Sequence, residues 1–166
     1  AVPADTFNKD QHKDLKADYI MANPPFNQKA WREANELLDD PRWRGYDVPQ
    51  AGNANYGWIL NMVSKLSDNG VAGFILANGA LSGGSEEYKI RKKLIQNGLV
   101  EAIVILPPNM FYTTTISVTL WIVNNNKKPQ NCNALILGVT FKENCSDIRN
   151  SRVFSLHKSL IKLKIK

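Results

Sequence analysis

Asn23-Pro24-Pro25-Phe26 follows directly on the largely apolar stretch Asp18-Tyr19-Ile20-Met21-Ala22. Hydrogen-bond acceptors and an aromatic ring therefore stand at the end of a strand. The chemistry that needs this set is transfer of a methyl group to an exocyclic amino nitrogen. The lone pair of such a nitrogen is delocalised into its ring, and attack on a sulfonium methyl requires it to rehybridise. Acceptors aimed at its two hydrogens favour the developing tetrahedral geometry and positive charge. The side-chain oxygen of Asn23 supplies one acceptor and the carbonyl of Pro24 the other. Pro24 and Pro25 bring no N–H to compete, and their fixed φ stiffens the turn. Phe26 stacks on a base once it has left the duplex. No carboxylate base is demanded, because the proton can leave after transfer. Chemistry at C5 of cytosine would need a nucleophilic cysteine at the turn, and neither Cys132 nor Cys145 is near it.

The elements that must hold this turn are legible in outline. Ala17–Ala22 reads as a buried strand, and Gln28–Asp40 as a short helix with Trp31, Leu37 and Leu38 on its apolar side. A loop follows over Pro41–Asn55. Ile59, Met62, Val63 and Leu66 recur at helical spacing, predicting a helix over Tyr56–Leu66 capped by Asn55 and stopped by Ser67-Asp68-Asn69-Gly70. Val71–Ala77 is a continuous apolar strand and Gly79–Ser85 a Gly/Ser loop. Glu86–Gln96 is a charged helix with Tyr88, Ile90, Leu94 and Ile95 available for packing. Leu99–Leu106 and Ile116–Val123 are strands joined by the loop Pro107–Thr115. Alternating strands and helices predict an α/β fold with a mostly parallel sheet covered on both faces. The final pair has too short a link for a crossover and should be antiparallel. Beyond Asn124 comes a polar loop, a further strand at Ala134–Phe141, and a basic segment over 142–166 that reads as an edge strand or frayed tail, the other reading being a DNA-binding arm.

The chain has 166 residues, 43% of them hydrophobic, enough for one domain with a core. No apolar run approaches the ~20 residues that span a bilayer, so no membrane partner is expected. With no secretory signal in sight and only two cysteines, the cytoplasm is the default location. A formal net charge of +6 favours anionic partners, nucleic acid first. No metal is expected.

The turn is similar to the catalytic motif of amino-group DNA methyltransferases that use S-adenosylmethionine. Further segments extend the likeness: Asp40-Pro41-Arg42-Trp43, Gly52-Asn53-Ala54-Asn55-Tyr56-Gly57-Trp58-Ile59, Asn78-Gly79-Ala80-Leu81-Ser82, Ile90-Arg91-Lys92-Lys93-Leu94 and Leu106-Pro107-Pro108-Asn109-Met110-Phe111-Tyr112. Together, from about Ala17 to Lys128, they resemble the modification subunit of type I restriction-modification systems. The resemblance implies a Rossmann-like methyltransferase fold and adenine-specific methylation of double-stranded DNA. It also implies a complex with a specificity subunit and a restriction subunit. Asn23, Pro24, Pro25 and Phe26 would form the catalytic turn, with Asn23 also at the cofactor. Phe111, or its neighbour Tyr112, would pack on the flipped adenine. Asn53 and Asn55 are candidates for reading base edges, the other reading being a loop whose Asn residues cap the next helix. Lys89, Arg91, Lys92 and Lys93 either face phosphates or form a solvated helix face.

The chain also departs from that family. Its glycine-rich cofactor loop lies upstream of the catalytic turn, with an acidic residue for the ribose between them. The residues before Asn23 contain no glycine, and Gly79, Gly83 and Gly84 come later. Residues 1–128 are therefore expected to be the target-base half of a methyltransferase domain, with 129–166 an added strand and basic tail. The S-adenosylmethionine site would be incomplete, and the edge of the Ala17–Ala22 strand would be open to self-association. Two other functions are compatible with the residues. One is an inactive remnant or a DNA- or subunit-binding fragment. The other is an amino methyltransferase acting on RNA or protein.

Overall fold

The computed structural model describes residues 4–111, 115–126, 158 and 161–162. The chain falls into two compact units, Ala1–Asn126 and Lys127–Lys166. In the second, Lys158, Ile161 and Lys162 are helical and exposed. Tyr112, the expected strand Ala134–Phe141 and the rest of the basic tail lie outside the described residues.

The first unit is built on four strands, β1 (Ala17–Ala22), β2 (Leu66–Ala77), β3 (Val100–Ile105) and β4 (Val118–Asn124). Helix α1 (Asn55–Ser64) links β1 to β2, and α2 (Ser85–Gln96) links β2 to β3. The spatial order is β1-β2-β4-β3. β1 runs parallel to β2, while β4 is antiparallel to both β2 and β3. Three strands thus share a direction. β4, the last of the described strands, runs against them, as its short connection requires, and it lies inside the sheet rather than at its rim.

Alternation along the strands sorts the residues by face. Phe74, Leu76, Trp121 and Val123 point to one side and are buried with Ile59 and Leu60 of α1 and Ile90 and Leu94 of α2. Phe74 and Trp121 are cross-strand partners, stacked at 6.1 Å and 15°. Both crossovers step the same way across the sheet, so their shared handedness deposits both helices on this one face. The other face carries Tyr19 and Met21, 83% and 93% exposed, beside half-buried Ile75, Leu120 and Ile122. Within the described residues, coverage of both faces is therefore not met.

Other expectations are corrected too. Gln28–Asp40 is not a helix but a run of turns and bends. Trp31 is drawn into the core against Phe7, and its Nε1 donates to the Gln50 carbonyl. The Arg32 guanidinium meanwhile donates to the carbonyls of Glu33, Ala34, Glu36 and Pro49. A side chain does here what a helical backbone would have done. In α2, Tyr88 and Ile95 are exposed rather than packed. Gly79–Ser85 is shaped at its start by a 3-10 turn, Asn78–Leu81.

Ser67-Asp68-Asn69-Gly70 lies within β2 as a bulge. Ala17 pairs with Leu66 but Tyr19 with Val71, so two steps along β1 face five along β2. Asp18 accepts from Ser67 Oγ at 2.7 Å, and Asn125 donates to the Ser67 and Gly70 carbonyls. The glycine is required, because a Cβ on Gly70 would stand 2.7 Å from the Ala17 carbonyl oxygen. Gly70→Ala should lower stability by roughly 1–3 kcal/mol. An unchanged urea midpoint would contradict this account of the bulge. β1 lies at the sheet's edge, and self-association through it should appear in light scattering as concentration is raised. A clean monomer at high concentration would count against that idea.

Candidate active site

The Asn23–Phe26 turn leaves the carboxyl end of β1, and the Asn78–Leu81 turn leaves the same end of β2. Carboxyl ends of parallel strands are where α/β sheets place their ligands. Asn23 is exposed, and its side chain takes no hydrogen-bond partner among the described residues. Pro24 is buried, which anchors the turn, while Pro25 is exposed and Phe26 half-buried. Phe111, distant in sequence, brings its ring edge-on to Phe26 with centroids 5.9 Å apart at 73°. Its approach follows the loop after β3, where Asn109 adopts a left-handed φ of 60°. Two aromatic residues singled out in the sequence are thus together, half-exposed, at the end of the strand that presents Asn23.

Asn53 and Asn55 turn inward to the protein. Asn55 is buried, 2% exposed. Its Oδ1 accepts from the Asn27 backbone N–H at 3.0 Å, and its Nδ2 donates to Asn27 Oδ1 at 2.9 Å. Asn53 Nδ2 donates to the same Asn27 oxygen at 3.2 Å, and Asn53 Oδ1 accepts the Asn55 N–H at 2.9 Å. Helix α1 therefore begins at Asn55 itself, with Asn53 rather than Asn55 accepting the first amide. Gln28 is held as well. Its carbonyl accepts from Ala54 N–H at 2.9 Å, and its side-chain oxygen from Trp58 Nε1 at 3.1 Å.

The basic residues of α2 divide. Arg91 donates to the Tyr56 hydroxyl, the Ala80 carbonyl and the Gly83 carbonyl at 3.1, 3.3 and 2.9 Å. Its guanidinium also lies 5.8 Å from the centre of the Tyr56 ring. This arginine ties down the loop after β2. Lys89 is exposed and lies 3.8 Å from Asp47, and Lys92 and Lys93 are exposed. Charge alone does not separate these roles; orientation on the helix does.

Tyr56, Gln28 and Glu87 matter here without having been singled out in the sequence. The Tyr56 hydroxyl donates to the Ala80 carbonyl at 2.7 Å, and burial pushes its pKa up to about 12. Glu87 is 4% exposed and accepts from Gln50 Nε2 at 2.7 Å. A Cβ on Gly83 would require its carboxylate to swing aside. Among the described residues no cluster suits a metal ion, and no helix is long and apolar enough to cross a membrane. A cleft of about 430 Å³ lies at the amino end of β1, lined by Phe7, Asp10, Lys16, Asp40 and Arg42, away from the turn. Its Arg42–Asp40 ion pair, at 2.7 Å, is buried structural chemistry.

The N-6 DNA Methylase family profile matches residues 1–159. The chain belongs to this family. It is 46% identical over 128 residues to the MjaIX type I restriction enzyme methylase subunit of Methanocaldococcus jannaschii, covering 74% of this chain and 23% of that protein. It is 47% identical over 126 residues to the HindI methylase subunit of Haemophilus influenzae, covering 75% of this chain and 28% of that protein. The crystal structure of a type I restriction-modification methyltransferase subunit from Streptococcus thermophilus superposes with a TM-score of 0.69 at 30% identity. That match covers 75% of this chain and 27% of that one. The chain thus spans about a quarter of the length of the curated relatives it matches. The sheet of this family member is the partial Rossmann-like fold expected, with its reversed last strand.

Burial raises the Glu87 carboxyl above its ordinary 4.5. A raised folded-state value means folding favours the protonated form. The stability it contributes is full below 4.5 and is lost as pH climbs through the raised value. Glu87→Gln should therefore lose less stability than the parent as pH rises above 4.5 through the raised value. Identical pH profiles from denaturant titrations would sink this reading.

Proposed function

We propose that this chain is the target-base half of an adenine-specific DNA methyltransferase of a type I restriction-modification system. Its turn would present the adenine N6 amino group for methylation by S-adenosylmethionine. The observation that carries this reading is the Phe26–Phe111 pair, 5.9 Å apart, at the end of the strand bearing an exposed, unengaged Asn23. A flipped adenine is held by its faces against aromatic rings and by its edge through hydrogen bonds. Asn23 Oδ1 and the Pro24 carbonyl then hold the two amino hydrogens while the nitrogen becomes tetrahedral, and the proton leaves to water afterwards. Bound S-adenosylmethionine supplies an electrophilic methyl group. The described residues do not fit a whole site for it. The described residues before Asn23, the side on which the family's cofactor loop stands, contain no glycine. Only the Asn23 side of that site is proposed here. Double-stranded DNA, a specificity subunit and a restriction subunit are the partners this reading assigns, and a DNA substrate implies the cytoplasm. The net charge of +6 suits the DNA.

The test exchanges this chain for the region it matches in the Haemophilus influenzae HindI subunit and follows a labelled methyl group into DNA adenine. Asn23→Ala should lower kcat about 10²–10³-fold, the usual loss when one transition-state hydrogen-bond partner is removed. Undiminished transfer, or transfer to RNA or protein instead, would overturn the proposal. Calorimetric titration of the 166-residue chain with S-adenosylmethionine should give no saturable heat. One-to-one binding would mean the cofactor site lies within these residues.

A further inference from the structure

We infer that Asn55 is a positioning residue for the target base, acting through Asn27 on the Phe26 ring. The inference rests on the function proposed above and assigns Asn55 a role other than reading bases.

Asn27 follows Phe26 and has φ 51°, in the left-handed region. Asparagine tolerates that region better than most residues, but does not choose it unaided. The choice is made by Asn55. Its side-chain amide makes two bonds to the one residue, accepting the Asn27 N–H and donating to the Asn27 side-chain oxygen. At φ 51° Asn27 turns both groups toward this one amide, so the two bonds together hold it in that conformation. Asn53 adds a third bond to the same oxygen and simultaneously fixes Asn55 by accepting its N–H. The next residue is pinned by Ala54 and Trp58. Each of these partners belongs to α1 or to its approach, so the helix start fixes the peptide leaving Phe26. Pro25 stiffens the peptide entering it. With both sides held, the Cα–Cβ direction of Phe26 is set, and its ring meets Phe111 edge-on at 5.9 Å. Asn55 itself is 2% exposed, so a base cannot reach its amide without dismantling this arrangement.

The test reads ring-to-ring nuclear Overhauser effects between Phe26 and Phe111 in the intact chain, with thermal unfolding followed alongside. Asn55→Leu removes both bonds, and the Phe26–Phe111 effect should fall about fivefold or more, as expected when two hydrogen bonds selecting one conformer are lost. Asn27→Asp keeps the accepting oxygen and the left-handed tolerance, and should retain the parent signal. Should Asn55→Leu fail to fold, Asn27→Gly decides. Asn27 is exposed, and glycine keeps the left-handed backbone while deleting the accepting oxygen. A drop in the ring contact while the variant is still fully folded at the temperature of measurement would support positioning. Parent-level ring contact in Asn55→Leu or Asn27→Gly would overturn it. The readout needs no methyl transfer. An intact, Asn55-dependent ring contact in an enzyme that does not methylate adenine would therefore count against the proposed function and not against this inference.

Discussion

The carboxyl end of the sheet depends on one desolvated carboxamide, that of Asn55. A buried amide left without partners costs on the order of 1–3 kcal/mol, so this side chain must be satisfied, and the groups within its reach belong to Asn27. A left-handed non-glycine residue costs on the order of 1 kcal/mol, comparable with the net gain from one or two ordinary hydrogen bonds. Satisfying Asn55 and straining Asn27 are therefore one event. Tyr56, the next residue, does the equivalent for the second loop through its hydroxyl on Ala80, with Arg91 closing the triangle. The first turn of α1 thus sets two loops from one place.

This explains why the region between β1 and α1 is dense in aromatic and arginine side chains although it has little regular structure. Phe7 meets Trp31 and Trp58 at 4.4 and 4.5 Å, and Trp31 meets Trp43 at 6.1 Å. Arg32 and Arg42 answer the carbonyls that an irregular backbone leaves without helical partners. A long loop so packed behaves mechanically as part of the scaffold. In the function proposed here, an exposed acceptor such as Asn23 would gain its chemical value from that rigidity, because donors and acceptors accelerate a reaction only when already aimed.

What could be read from the residues followed the range of the interactions involved. The place of β1 and its turn was legible because a short apolar run stopped by prolines is a local signal. But β1 is not the buried strand expected, since Tyr19 and Met21 are exposed on the uncovered face at the sheet's edge. The antiparallel last pair was legible because a short link excludes a crossover. Gln28–Asp40 was misread as a helix because its fate depends on where Trp31 and Arg32 find partners, Gln50 and Pro49, well along the chain. The Asn55 cap was misplaced by its own pairing with Asn27. The lysines and arginine of α2 looked alike as charges, and only packing separates Arg91 from Lys92 and Lys93. Phe111 was carried over by likeness to a family; its meeting with Phe26 belongs to the fold. Nothing local marked Asn27, except that asparagine directly after a stiff turn is a residue able to bend left-handed.

Because β4 lies between β2 and β3, the sheet is not laid down in the order in which the chain is made. As synthesis proceeds from the amino terminus, β1, α1 and β2 can assemble with local partners. β3 then emerges without β4, its hydrogen-bonding neighbour among the described strands, which is still inside the ribosome. Phe74 likewise waits for Trp121. The two halves of the sheet are joined by a single late strand, and the ring of Phe111 sits on the loop that this strand draws shut. Among the described residues, the end of the sheet that carries the Phe26–Phe111 pair is therefore completed in the same step that closes the hydrophobic layer beneath it.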